Sequence, residues 1–253
     1  MSAESSHAHE HHWEWSQAPF WVVAGVFFLV PLTFAAYFQY QNPLLAAIFA
    51  GLGTPMLLAG IAMWVNEGLT VKPLIADVAG IGLPIFIISE IFIFLSFFVA
   101  YWMMRLGADV WPPEGTPEFP VTLPLIMTVI LVSSSVTIHI AEEKYAHNDH
   151  GGFVKWLVLT MLLGLIFISM TFYEYNHLFH EEFYPDTNAF GTIFFSLTGF
   201  HASHVIGGLG IFVCVLLPAL RGRTNKTFIT CASIYWHFVD VVWFFVVSQI
   251  YFW

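Results

Sequence analysis

Charge is what this sequence has least of. Asp, Glu, Lys and Arg make up 9% of its 253 residues, and hydrophobic residues make up 58%. Soluble domains carry about 25% charged residues, so a soluble enzyme of ordinary composition is excluded. Cysteine is equally scarce. Cys214 and Cys231 are the only two, too few for a disulfide framework and without a CxxC motif; both are expected to be buried thiols. No cleavable signal peptide is visible, so the first apolar run is expected to act as an uncleaved insertion signal. No internal repeat is apparent, which argues against the inverted-repeat transporter folds.

What the sequence has in quantity is long apolar runs. Seven of them reach the about 20 residues that a transmembrane helix needs: Phe20–Tyr40, Leu44–Val65, Ile81–Met104, Val121–Ala141, Phe153–Tyr173, Phe190–Leu220 and Phe228–Trp253. They are too long and too continuously apolar for barrel strands, which are about 10 residues and alternating. The expected fold is therefore all-α, a polytopic membrane protein of seven helices. The expected organisation is a His-rich tail over 1–19, a two-helix hairpin over 20–65, a linking segment over 66–80 and a five-helix bundle over 81–253. The sixth run, at 31 residues, would be about 46 Å long and must tilt or project from the hydrocarbon core.

Basic residues set the orientation. Lys72, Lys144, Lys155, Arg221, Arg223 and Lys226 fall in links on the N-terminal side, and only Arg105 falls on the other. Six of seven on one side is a positive-inside signal. It predicts a cytoplasmic N-terminus and a periplasmic C-terminus in a bacterial membrane, or the matrix equivalent in a mitochondrion. The tail, "SSHAHEHHWEW", holds His7, His9, His11 and His12. One reading is a metal-binding tract. The expected one is a solvated tail with Trp13 and Trp15 at the interface.

Ionisable groups inside membrane helices cost about 2.5–3.5 kcal/mol at the centre on insertion scales, and each needs a reason. Glu90 lies mid-way along the third run and Asp240 mid-way along the seventh, with His237 three residues before it. His201 and His204 share the sixth run, and Glu174 stands at the outer end of the fifth helix, directly after its run. A spacing of three keeps two side chains on one helix face. His201/His204 and His237/Asp240 are therefore expected as two polar stripes on consecutive helices, satisfying each other and the Trp236 and Trp243 indoles across the contact. Gly199, Gly207, Gly208 and Gly210 would allow close approach. The sharper alternative is a metal site from three histidines and an aspartate. A di-iron variant would use Glu174-x-x-His177, but no second Glu-x-x-His lies in a membrane run. Glu90 has no evident basic partner. It reads either as a carboxyl group hydrogen-bonded to a neighbouring Ser or His, or as a proton-handling group.

Several stretches together resemble one family. "YWHFVDVVWFFVVSQIYFW" resembles the C-terminal helix of subunit III of the haem–copper cytochrome c oxidases, and "GFHASHVIGG" its "GFHGxHVxxG". "FIISEIFIFLSFF" is similar to the family's third helix, with Glu90 in register; "WPPEG" is similar to its "WPPxG" loop and "EYNHLFHEEF" to its "EYxxA" segment. The resemblance runs in order from about Leu44 to Trp253.

That resemblance implies a non-catalytic subunit of a proton-pumping oxidase that reduces oxygen to water. Haems and copper belong to partner subunits I and II, with no redox metal in this chain. It implies direct packing on subunit I, support of proton uptake and of stability during turnover, and a two-plus-five arrangement whose V-shaped cleft holds structural phospholipid. Partners then are subunits I and II, membrane phospholipids and a respiratory supercomplex, with no nucleic acid. Glu90 matches the family's carbodiimide-reactive carboxyl, and Glu174, His201, His204, His237 and Asp240 its recurrent polar positions. Trp64 and Arg221 match lipid-contacting positions. One departure is "MWVNEG", where Asn66 and Glu67 stand in place of the family's common Arg and Asp, which removes a phosphate partner. The alternatives are a related subunit of a quinol oxidase or nitric oxide reductase system, a stand-alone transporter or receptor, and the di-iron oxidase.

Overall fold

Apolar runs of this length have one low-energy form in a bilayer, the α-helix, because every backbone N–H and C=O is satisfied within the segment. The computed structural model describes residues 16–70 and 78–252. The tail up to residue 15, the middle of the second link with Lys72, and Trp253 lie outside the described residues. Among the described residues all regular structure is helical. Seven helices are long and apolar enough to cross a membrane: α1 (Ala18–Gln39), α2 (Pro43–Thr70), α3 (Val78–Leu106), α4 (Thr122–Ala146), α5 (His150–His180), α6 (Ala189–Ala219) and α7 (Lys226–Tyr251). The chain divides into two compact units, residues 1–76 and 77–253.

The first unit is the α1–α2 hairpin. Helix α1 widens into π-helical turns at Phe28–Leu32, which contains Pro31, and at Ala35–Gln39. A proline cannot donate to the preceding turn, and the Thr33 hydroxyl donates to the Phe28 carbonyl at 2.9 Å in the same stretch. Asn42 caps α2 by accepting from the Leu45 N–H at 3.0 Å. Two glycines of α2, seven residues apart, lie against the α1 backbone. A Cβ on Gly53 would stand 2.5 Å from the Leu29 nitrogen, and one on Gly60 2.7 Å from that of Val22. Helix α2 runs on through Asn66 and Glu67 to Thr70, so the expected link at 66–80 shortens from both ends. Its polar residues join the helix because they find local partners: Thr70 Oγ1 donates to the Asn66 carbonyl, and Ser16 Oγ to Glu67, both at 2.7 Å.

The second unit packs α3 to α7 with α7 the most enclosed helix. Helix α4 lies against α5 and α7, and α6 lies against α3, α5 and α7. Helix starts are set by Asx caps: Asp149 accepts from the Gly152 N–H and Asn188 from that of Gly191, both at 2.8 Å, and Asn225 from that of Phe228 at 3.3 Å. Both α5 and α6 have 31 residues. The fifth helix therefore continues past Tyr173 by two turns, which carry Glu174, His177 and His180.

At the centre, the fully buried Trp236 of α7 lies against two other helices where they carry glycine. A Cβ at Gly164 on α5 would stand 2.9 Å from the indole and one at Gly208 on α6 2.7 Å from it. The ring is 4.9 Å from that of Phe212, and its Nε1 donates to Ser134 on α4 at 2.8 Å. Of the four glycines expected to allow close approach on α6, only Gly208 is used this tightly; Gly210 faces open space.

Two outcomes follow for stability. Trp236→Ala removes the shared contact of four helices and is expected to cost about 3–5 kcal/mol, read by thermal unfolding of the solubilised protein. An unchanged midpoint would contradict the central role of the indole. The second concerns Asp149, whose carboxyl the Gly152 N–H, aided by Lys144 and Lys155, holds below its ordinary value. Its contribution is therefore present above the unfolded carboxyl's value and is lost as pH falls through the lower folded one. The stability gap between wild type and Asp149→Ala should stay level at neutral pH and close only below about pH 4; a gap that widens on acidification would reverse the sign.

Candidate functional site

Glu90 has a partner. It sits mid-way along α3, and its Oε2 is 3.0 Å from Nε2 of His204 on α6. Both side chains are largely buried, 14% and 10% exposed. The imidazole is enclosed by the rings of Phe94 at 5.1 Å, Phe200 at 4.6 Å and Phe238 at 6.5 Å. Its Nδ1 is 2.9 Å from the Phe200 carbonyl, one helical turn back. A carbonyl only accepts, so Nδ1 carries a hydrogen. The contact between Nε2 and Oε2 then contains one further proton, on the carboxyl or on the ring, since two lone pairs cannot face each other. Either placement leaves the pair with no net charge. The proton can change atoms within 3.0 Å without placing a net charge in the apolar surroundings. The Tyr235 hydroxyl donates to the His204 carbonyl at 3.2 Å, so α3, α6 and α7 meet here.

The other candidate residues are not gathered around this pair. His201, although one turn from His204, is fully buried between the rings of Phe167 and Trp243, at 5.8 and 5.1 Å. Neither of its nitrogens has a hydrogen-bond partner among the described residues, and neither has either carboxyl oxygen of Asp240. His237 Nδ1 is 3.1 Å from Ser135 Oγ on α4. Glu174 on α5 accepts from the Tyr251 hydroxyl on α7 through both oxygens, each at 2.9 Å. The neighbouring Tyr175 hydroxyl is 2.7 Å from Thr198 Oγ1 on α6. Trp64 is an exposed residue of α2. Arg221 is exposed just after α6, its backbone N–H closing the turn on the Pro218 carbonyl at 2.9 Å.

The expected mutual satisfaction of His201, His204, His237 and Asp240 is thus corrected. The spacing of three does place each pair on one side of its helix, but α7 packs against α3, α4 and α6 and also reaches α5 through Trp236 and Tyr251. Its polar groups are divided among them. Both indoles turn to α4, Trp236 to Ser134 at 2.8 Å and Trp243 to Thr128 at 2.9 Å, and not to the α6 histidines. Glu90, which showed no evident basic partner in the sequence, has one in His204, a contact of the kind expected in the reading that bonds its carboxyl to a neighbouring Ser or His. Depth along the helices offered a hint. Glu90 is about 18 Å from the start of α3 and His204 about 22 Å from the end of α6, on the same side. Asp240 lies at a similar depth on α7, however, so depth alone does not choose between them. Among the described residues, no group of three or more His, Cys, Asp or Glu is arranged to hold a metal ion.

The strength of the pair is measurable by a double-mutant cycle of Glu90→Leu and His204→Leu. A coupling of about 0.6–1.7 kcal/mol is expected. Glu90→Gln, whose amide still donates to Nε2, should lie near wild type in stability. Additive single effects would show that the two side chains do not interact.

Comparison with known proteins bears on what such a site serves. Residues 70–253 match the family described as cytochrome c oxidase subunit III. A cytochrome c oxidase subunit 3 from Synechocystis sp. is 41% identical over 171 residues, covering 66% of this chain and 72% of that protein. A probable cytochrome c oxidase subunit 3 from Nocardia farcinica is 37% identical over 180 residues, covering 70% and 88%. A cytochrome c oxidase subunit 3 from Scyliorhinus canicula is 34% identical over 234 residues, 87% of both chains. That last match necessarily takes in part of the α1–α2 hairpin.

Proposed function

We propose that this chain, which belongs to the cytochrome c oxidase subunit III family, supports proton uptake and the stability of subunit I in a proton-pumping terminal oxidase without carrying the redox chemistry itself. The haems and copper that reduce oxygen to water belong, in this reading, to subunits I and II, with subunit I the direct neighbour. The observation that carries the reading is the Glu90–His204 pair. It is an intramembrane acid–base couple that holds one proton at no net charge and is screened by aromatic rings. Groups of this kind suit the holding and local transfer of protons. Glu174, His201 and Asp240 serve as buried polar groups of the bundle, and His237 as a half-buried one.

Phospholipid is part of the proposal. A groove of about 310 Å³ between α3 and α7 is lined by Leu83, Pro84, Cys231 and Ile234, with Lys226 also on its wall. An acyl chain fits the apolar lining and a headgroup phosphate fits the cation. Trp64 and Arg221 are proposed as further lipid contacts on their exposed positions. The six basic residues on the N-terminal side support an N-terminus in the cytoplasm of a bacterial cell.

Purification of the tagged chain from its native membrane should bring down two larger subunits and a haem spectrum; recovery without haem would remove the reading. In that preparation Glu90→Gln keeps a donor for Nε2 but no transferable proton. Haem content and the first turnover should be intact, and activity should decline faster during sustained turnover. Loss of electron transfer on the first turnover would contradict a supporting role.

A further inference from the structure

One lateral face of the bundle carries hydrogen-bonding capacity that the described residues leave unused. On α4, Ser135, His139 and Glu142 recur at intervals of four and three; on α7, Ser233, His237 and Asp240 do the same. Each set forms one stripe along its helix, about 10 Å long. The helices run antiparallel and the stripes meet: Ser135 Oγ is 3.1 Å from His237 Nδ1, and Ser233 Oγ donates to Glu142 Oε2 at 2.7 Å.

This seam differs from the other polar positions on the bundle's flanks. The exposed hydroxyls of Ser89, Ser96, Ser169 and Ser203 each return to a carbonyl of their own helix at 2.6–2.8 Å and need nothing from outside. His139 is exposed and makes no hydrogen bond to a described residue. Among the described residues, His237 is bonded only through Nδ1 and Glu142 only through Oε2. The seam is bordered by exposed apolar side chains, Val132 and Val136 on α4 and Ile234 and Val241 on α7. Within a membrane span, lipid tails offer contact for the apolar border and nothing for the two imidazoles, while Glu142 lies just past the fourth apolar run, near the end of α4. A protein helix offers both apolar contact and hydrogen-bonding partners.

We propose that the α4–α7 seam is the docking face for a transmembrane helix of another oxidase subunit, one that presents hydrogen-bonding side chains along its facing side. The stripe interval of about 3.5 residues is that of a helix–helix seam. The apolar border packs against the partner while His139, His237 and Glu142 pair with its polar groups. The proposal rests on membership of the oxidase complex, which co-purification tests separately.

The test is photo-crosslinking in the intact oxidase. Benzoylphenylalanine replaces Val136, which borders the seam, or Leu162, an exposed residue of α5 away from it. Val136 keeps the polar residues in place, so the probe reads the neighbour without removing the contact. The expected result is a covalent adduct to another oxidase subunit from position 136 and lipid adducts alone from position 162. Lipid adducts alone at position 136, or equal protein crosslinking at both, would overturn the proposal. Combining His139→Leu with Glu142→Leu should also speed loss of the chain from the complex in detergent, by about threefold for each hydrogen bond removed. Unchanged retention would count against the polar contacts.

Discussion

The Trp236 indole fixes the geometry of the bundle. It is the largest fully buried side chain, and it reaches its place only because α5 and α6 carry Gly164 and Gly208 where the ring lies. Its one polar atom is spent on Ser134 of α4. Helix α7 is thereby positioned against three others by one residue, through steric fit on two sides and a directed bond on the third. In a bilayer the apolar surfaces of helices gain little from leaving lipid. Shape complementarity and buried hydrogen bonds must therefore decide which helices meet, and the same economy appears in the first unit, where Gly53 and Gly60 admit the α1 backbone.

Once α7 is placed, the polar residues have few choices. Trp243 reaches Thr128 on α4, His237 reaches Ser135, and Tyr251 reaches Glu174 on α5. Helix α6 is left to face α3 with His204, and Glu90 is the group it finds. The acid–base couple is thus a consequence of packing: an aromatic cage excludes other partners, and the carbonyl of Phe200 fixes the imidazole tautomer. A carboxyl and an imidazole that share one proton are compatible with an apolar setting because neither protonation arrangement leaves net charge.

Much of this was legible in the residues. The seven apolar runs mark the seven helices to within a few positions at most ends. The exceptions have local causes. Helix α2 gains a turn because Thr70 and Ser16 satisfy its polar end, and α5 gains two because Glu174 is anchored by Tyr251. The individual site residues were also visible, since a Glu, a His or an Asp in an apolar run stands out by its desolvation cost. Their partners were not. A helical spacing of three says that His201 and His204 share a side, but the two rings end in different surroundings, one between Phe167 and Trp243 and the other against Glu90.

The sequence by itself determined that the chain forms seven membrane helices, because length and apolarity leave the backbone no other way to satisfy its polar groups in lipid. It also determined, through the order and content of its motifs, the subunit III family. Only the tertiary structure decided which polar group pairs with which, because helix periodicity fixes a side chain's direction about its own axis and says nothing about which neighbouring helix lies in that direction. That choice was made by the fit of one indole against two glycines.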